Sequence, residues 1–482
     1  MRHRLPEGLN RYWYANATRF IPYTIHEFPS YSFVVSDVHG HVLSLPFVLL
    51  AIALLIMVFG ARDPLTKIVG RTNPSASLGA GTTLWQGSLA PTYLIFYGFL
   101  VGVLLMTNAL DGPIYLGLFV ILLALMHRGN WMDKGKIAAI VVVTTLVASL
   151  PFLFHFESFV SGLAVNCPPI TLQNSRFGPI LFESAEKCQH SPIWMMALLW
   201  GFFWYCGFWL FLQKKFDSDQ TDDVNGRVAK VFFLFSLALI IFPEFLYFKD
   251  IYPMHFRSNT MFKLGYQAFI LFSIVAGYTI TTSLSGISQE YSRKFSIFNL
   301  KFSMNGKKIF LLFLVPQLFL VSIYPIFSVR SYFNSLTHYE GLWGLTWFAR
   351  DYPDDYAAML WLNSQVRPGS RFTIVEADGD SYTDSARFST FTGIPTIIGW
   401  PVHEWLWRGS YDVVSPRRDI VRLVYEAKDS RVVQDFLRRF DVRYIIIGSL
   451  ERQKYPDFIE EKFTALGRVV FRQGKTTIYQ VL

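Results

Sequence analysis

Charge is what this chain has least of. Asp, Glu, Lys and Arg make up 16% of its 482 residues, against 52% apolar and 17% aromatic residues, a balance that no ordinary soluble domain carries. Phosphate-binding loops are also missing: neither G-x-x-x-x-G-K-S/T nor G-x-G-x-x-G occurs, and there is no G-x-S-x-G elbow for a nucleophilic serine. An activated donor, if one is used, is therefore lipid-linked rather than a cytoplasmic nucleotide. His403-Glu404 opens like a zinc-protease motif, but position 407 is Trp, so the second imidazole is absent. No basic stripe interleaved with aromatics is present, and the net charge of +9 implies no nucleic-acid partner.

What is present in quantity is long apolar sequence. Eight runs stand out: Leu43 to Gly60, Thr92 to Ala109, Pro113 to Met126, Ile137 to Phe156, Ile193 to Leu212, Val228 to Phe248, Leu264 to Leu284 and Ile309 to Phe327. Most approach the roughly 20 residues that a helix needs to cross about 30 Å of hydrocarbon. Pro113 to Met126 is short enough to be tilted or re-entrant. Residues 1–37 contain no apolar core, so no cleavable signal peptide is expected.

Orientation follows from the basic residues. Segments 61–91, 128–136, 213–228 and 285–308 carry 14 Lys and Arg, whereas 110–112, 156–192 and 249–263 carry 5. Positive loops stay in the cytoplasm, so the second set faces outward, with the N-terminal segment and the C-terminal region beside it. Cys167 and Cys188 share one outward loop, where a disulfide is permitted; Cys206 lies in an apolar run and reads as a packing residue.

The fold expected is a membrane all-α bundle of about eight transmembrane helices followed by a small extracytoplasmic α/β domain. Residues 1–42 form an extracytoplasmic juxtamembrane segment with a D-x-H-x-H motif, 43–328 the polytopic domain and 329–482 the soluble domain. In the last, Asp355 to Gln365, Pro416 to Ala427 and Arg431 to Phe440 read as helices. Arg371 to Ala377 and Val442 to Gly448 read as strands, and Arg468 to Phe471 with Thr476 to Val481 as a hairpin over Gly474. Residues 71–87, rich in Gly, Ser and Thr, read as a flexible loop.

Four constellations could carry chemistry. Asp37, His39 and His41 follow His26-Glu27-Phe28-Pro29 just before the first run, where a carboxylate at the hydrocarbon edge is costly unless paired or used. They could supply a general base or ligate a divalent ion such as Mg or Mn, or be polar residues of a juxtamembrane turn. Asp111, in Asn108-Ala-Leu-Asp-Gly-Pro113, is presented by a short outward turn. Arg257, Asn259 and Lys263 form a potential clamp for a lipid phosphate, or simply basic residues reaching for headgroups. Asp378, Tyr382, Arg387, Trp400, His403, Glu404 and Arg408 resemble the lining of a carbohydrate site, the alternative being tryptophans packed on a membrane face.

The run from Arg19 through Pro22, Thr24, Glu27, Phe28 and Pro29 to Ser32, Phe33, Asp37, His39 and His41 resembles the YYY membrane proteins of Chloroflexi and archaea. Asn108 to Tyr115, Arg257 to Lys263, Ser381 to Arg408 and Tyr444 to Tyr455 match in the same order. That family is distantly similar to the GT-C glycosyltransferases, polytopic enzymes that take sugars from polyprenyl phosphates at the extracytoplasmic face. The resemblance implies a prokaryotic plasma-membrane protein, with membrane lipid and a polyprenyl-phosphate sugar as partners; it places the catalytic carboxylate of such enzymes in the first outward loop, upstream of Met1, so the activating carboxylate is either Asp37 or one on the missing half, with Asp37 then auxiliary. It covers the C-terminal half of such proteins, so a separately encoded N-terminal half or a gene fragment is implied. A non-catalytic membrane subunit, or a transporter of lipid-linked glycans, is the competing reading; Glu244 beside Pro243 is the clearest intramembrane carboxylate for the latter.

Overall fold

The structure is a computed structural model that describes residues 12–60, 90–127, 129–158, 160–212, 224–252, 255–284, 292–297, 300–333, 337, 341–455 and 457–482. The loop expected at 71–87 lies outside them. Two compact units divide the chain, Met1–Thr337 and His338–Leu482.

The first unit is helical because its apolar runs leave a backbone in lipid no partner but itself. After the short helices α1 (Pro29–Val34) and α2 (Gly40–Leu43) come α3 (Leu45–Gly60), α4 (Ala90–Thr107), α5 (Asp111–Met126) and α6 (Trp131–Leu153). They are followed by α7 (Ile193–Leu212), α8 (Val224–Phe245), α9 (Ser258–Leu284), α10 (Gly306–Ser322) and α11 (Tyr324–Tyr332). Among the described residues, five helical segments are long and apolar enough to span a bilayer: Trp131–Leu153, Ile193–Leu212, Val224–Phe245, Ser258–Leu284 and Lys308–Tyr332. The expected eight therefore resolve into five full-length spans and three shorter apolar helices, α3, α4 and α5. The short run at Pro113 begins two residues earlier, at Asp111, because the Asp and Gly of the turn already join the helix.

Side-chain size decides how closely these helices approach. Gly98 and Gly102 of α4 face α6, where a Cβ on Gly102 would lie 2.8 Å from the Ala148 Cβ and 3.0 Å from the Thr145 carbonyl oxygen. Thr145 donates its hydroxyl across this seam to the Gly98 carbonyl, 3.0 Å. Small residues at such a crossing let two backbones meet in a solvent that offers helices no hydrophobic drive to associate.

Between α6 and α9 lies a small sheet of β1 (Gly162–Val165), β2 (Ser175–Phe177), β3 (Ile180–Phe182) and β4 (Leu246–Lys249), ordered β2-β3-β1-β4. The run read as helical to Phe248 ends at Phe245, since Leu246–Lys249 pairs antiparallel with β1. A disulfide joins Cys167 to Cys188, and Cys206 is free and buried in α7. A further hairpin joins β5 (Ser292–Ile297) to β6 (Leu300–Asn305).

The second unit contains the sheet β7 (Thr373–Val375), β8 (Val442–Ile447), β10 (Thr476–Val481) and β9 (Gly467–Gln473), in the order β7-β8-β10-β9, with β7 and β8 parallel. Its helices are α12 (Thr346–Asp351), α13 (Pro353–Gln365), α14 (Arg387–Thr392), α15 (Pro401–Arg408), α16 (Val414–Glu426), α17 (Ser430–Arg439), α18 (Ser449–Lys454) and α19 (Lys462–Leu466). Both faces of β8 are covered: Tyr444 and Ile446 pack with Phe348, Met359 and Leu362, while Ile445 and Ile447 pack with Val421, Val424 and Leu437. A strand buried on both sides loses polar alternation, which is why VRYIII is almost wholly apolar.

Replacing Gly102 by Ala should lower the unfolding midpoint in detergent, equivalent to a loss of about 1–3 kcal/mol. Gly117→Ala on α5, where a Cβ meets nothing within 4 Å, should leave the midpoint unchanged; equal midpoints for the two variants would disprove the close α4–α6 seam.

Candidate functional site

The D-x-H-x-H motif is shaped by local backbone chemistry before any side chain acts. Pro29 opens α1 at a position where its missing N–H costs nothing. Ser36, at φ +54°, then reverses the chain so that the Asp37 N–H donates to the Ser32 carbonyl, 2.9 Å. His39 precedes α2, and Gly40 sits so close to the end of α4 that a Cβ would lie 2.3 Å from the Thr107 carbonyl oxygen. The motif is thus pinned beside Asn108.

Asp37 lies between two imidazoles. Its Oδ1 contacts His39 Nδ1 and accepts the His39 backbone N–H at 3.1 Å, while Oδ2 lies 3.2 Å from His41 Nε2. The two rings differ in surroundings. His39 is 80% exposed, whereas His41 packs edge-on against Phe262 and Tyr266 of α9. Burial pushes His41 down to about 4, with Asp37 opposing and His39 and Lys263 adding, so its imidazole is neutral at pH 7. Glu27 joins the group: the ligand atoms of Glu27, Asp37 and His41 all lie within 4.8 Å of one another. Burial raises the Glu27 carboxyl, Arg19 opposes the shift from 3.3 Å, and the negative charge of Asp37 adds to it. The sequence places Glu27 in the same constellation but offers only Asp37, His39 and His41 as candidate ligands, whereas the fold brings Glu27 to Asp37 and His41. The signal was there: Arg19, eight residues before Glu27, is the partner of a carboxylate that the fold half buries.

Asp111 is fully buried at the start of α5. Its carboxylate accepts from Ser44 (2.7 Å), Asn108 (2.8 Å) and Gln267 (2.9 Å), and Gln267 in turn accepts from the Tyr115 hydroxyl at 2.8 Å. The turn carries the Asp111 side chain into the bundle, where it fastens the segment before α3, the end of α4, and α9 to the start of α5.

The proposed phosphate clamp divides in the same way. Asn259 and Lys263 line a small open cleft with Asp250 and Thr260, walled by Leu110, Phe156, Val160 and Phe248. Lys263 is within electrostatic reach of His41, Asp111 and Asp250. Burial raises the Asp250 carboxyl, with hydrogen bonds from the Tyr252 backbone and from Asn259 opposing. Arg257, by contrast, is buried and pairs with Glu244 at 2.9 Å, with Ser191 Oγ 3.3 Å from its other terminal nitrogen. Glu244 also accepts the Ser191 N–H at 2.8 Å, and Asn166 donates to the Glu244 and Gln189 carbonyls. Beside Cys167 and Cys188, this tie holds the loop of residues 156–192 to the end of α8 and commits Arg257 to Glu244 within the fold. His26 is pushed down to about 4, by burial first and by Arg257 second. Burial alone would raise Glu183, but hydrogen bonds from Lys249, Tyr247 and Lys187 outweigh it and hold the carboxyl at about 2.

In the second unit the seven candidate residues separate into a buried and a surface set. Asp378 is buried where β7 ends, held by Lys454, by the Tyr455 hydroxyl at 2.8 Å and by Arg418 at 3.2 Å. Arg387 is buried against Asp355 at 2.8 Å, its guanidinium 3.8 Å from the centre of the Tyr352 ring. Both hold the domain together. At the surface, Tyr382, Trp400 and His403 form a three-ring cluster with centroids 5.1 to 5.6 Å apart, and His403 Nδ1 lies 2.5 Å from Ser381 Oγ. Tyr382 takes a left-handed backbone at φ +62° and remains 83% exposed. Glu404 accepts the Gly399 N–H at 2.9 Å and pairs with Arg408 at 3.1 Å, shaping the turn into α15.

Apolar helices in this number, with polar residues gathered at one end, define a multi-pass helical membrane protein. The chain matches the family described as uncharacterized membrane protein (DUF2298) over residues 2–225 and 209–272, and it belongs to that family. No curated protein matches it.

Because the Glu244–Arg257 pair is buried, removing one partner strands the other charge. Glu244→Ala or Arg257→Ala should each cost about 3–5 kcal/mol in unfolding experiments on the purified protein, whereas Arg408→Ala, whose pair with Glu404 is largely exposed, should cost under about 1 kcal/mol.

Proposed function

We propose that this protein is a glycosyl-transferring membrane enzyme that uses a polyprenyl-phosphate sugar at the extracytoplasmic face of a prokaryotic plasma membrane. The observation that carries the reading is the half-buried Asp37 carboxylate, steadied by His39 and His41 at the end of the helix bundle where Asn259 and Lys263 line an apolar-walled cleft. A polyprenyl phosphate has the matching chemistry: an isoprenoid for apolar walls and an anionic group for an ammonium and an amide.

In this mechanism Asp37 accepts the proton of an acceptor hydroxyl as its oxygen attacks the anomeric carbon. The bond from that carbon to the phosphate oxygen breaks, and polyprenyl phosphate leaves with its growing negative charge met by Lys263 and Asn259. His39 and His41 orient Asp37. Asp111 and Arg257 are positioning residues, acting through the helices they fasten. In the second unit, the ring surface of Tyr382, Trp400 and His403 supplies flat apolar faces of the kind that pack on sugar rings.

The competing reading, a transporter or a non-catalytic subunit, draws on the buried polar set of Asp111, Asn108, Gln267 and Tyr115 among the helices, the kind of residue a transport path uses. One assay separates the two. Full-length protein in nanodiscs, given a polyprenyl-phosphate sugar and a glycan acceptor, should release polyprenyl phosphate. Asp37→Asn should reduce that release at least about 100-fold, and Lys263→Gln should raise KM for the donor. Full turnover in Asp37→Asn would remove the assignment; movement of intact donor between leaflets without release would favour transport.

A further inference from the structure

Two carboxylates and a buried imidazole converge in a way that fastening the fold does not explain. His41 is 5% exposed, and its Nε2 has no hydrogen-bond partner; it lies 3.2 Å from Asp37 Oδ2 without the alignment of a hydrogen bond. A buried ring nitrogen left in this state is costly unless something else uses its lone pair. Glu27 approaches the same point, placing two negative groups beside one another in a half-buried position. Arg19 answers only part of that charge, touching Glu27 Oε1 at 3.3 Å from a more exposed position.

We propose that Glu27, Asp37 and His41 bind a single first-row divalent metal ion, of the class of Mn²⁺ or Zn²⁺. The donor set argues the class. Two carboxylate oxygens neutralise a divalent charge, and one imidazole nitrogen favours these ions over Mg²⁺ or Ca²⁺, which prefer oxygen alone. The spacing argues the fit: ligands about 2.0–2.2 Å from a common ion stand at most about 4.4 Å apart, and the three atoms lie within 4.8 Å of one another before any ion draws them in. His39 is outside the set. Its ring contacts Asp37 through Oδ1 while His41 faces Oδ2, so it supports the carboxylate from the opposite side as an outer-shell group. The proposal revises the sequence-derived set, exchanging His39 for Glu27, and does not depend on the reaction proposed above.

The test is a titration of the full-length, EDTA-treated protein in detergent with MnCl₂, followed by electron paramagnetic resonance. One Mn²⁺ per chain should be removed from the free-ion signal, Zn²⁺ should displace it, and pulsed measurements on the unaltered protein should show nitrogen coupling from one imidazole. Glu27→Gln and His41→Gln should each weaken binding at least tenfold, while His39→Ala should change it less than threefold. Absence of one-site binding, absence of nitrogen coupling in the unaltered protein, or a loss on His39→Ala equal to that on Glu27→Gln would each overturn the assignment. Since turnover is not measured, failure here leaves the transfer reaction standing, and failure of that reaction leaves the metal site standing.

Discussion

In a helix bundle with little charge and no water among its apolar walls, a polar side chain is tolerated only where others answer it. That constraint explains most of the polar geometry of the first unit. Asp111 is met by Ser44, Asn108 and Gln267, and Arg257 by Glu244 and Ser191. The first fastens helices that are distant in sequence; the second ties the end of α8 to the start of α9 and to the loop at Ser191. In the Glu27, Asp37 and His41 cluster the buried His41 Nε2 has no hydrogen-bond partner, and a bound ion is the account proposed for it.

The same constraint governs the second unit in a different form. Glu376, where β7 ends, accepts the N–H groups of Phe388 and Ser389 at the start of α14. Asp378 and Arg387 nearby are each bound to oppositely charged partners. With these residues committed to the interior, the rings of Tyr382, Trp400 and His403 are the part of the candidate set that stays at the surface. A bulky residue at positive φ is strained, and Tyr382 holds that conformation while keeping its ring in solvent.

The fold was legible where a pattern has one physical cause. Apolar length marked the helices, and the run VRYIII, apolar but for Arg443, marked a strand covered on both faces. Element ends were harder, because they depend on partners far along the chain: nothing within the run to Phe248 announces that Leu246–Lys249 will pair with β1. The candidate residues were legible as a set but not in their division of labour. Asp37 and Asp111 look alike as carboxylates beside apolar runs, yet one lies beside two histidines at the bundle end and the other is closed in by an amide, a hydroxyl and a second amide. Arg257 read as an anion-binding fork because Glu244, 13 residues earlier, was assigned to a different segment.

The unequal helices have a consequence for the surrounding lipid. α3 and α5 each contain 16 residues, about 24 Å of rise, whereas α6 has 23 and α9 has 27, about 35 and 40 Å. A hydrocarbon layer about 30 Å deep cannot match both, so it thins or the helices tilt according to which ones it touches. The short helices are those that adjoin the Asp37 motif and the Asp111 network. A bilayer that matched them would be thinner at that end of the bundle than beside α6 and α9, so membrane thickness would bear on the stability of the helices around both groups.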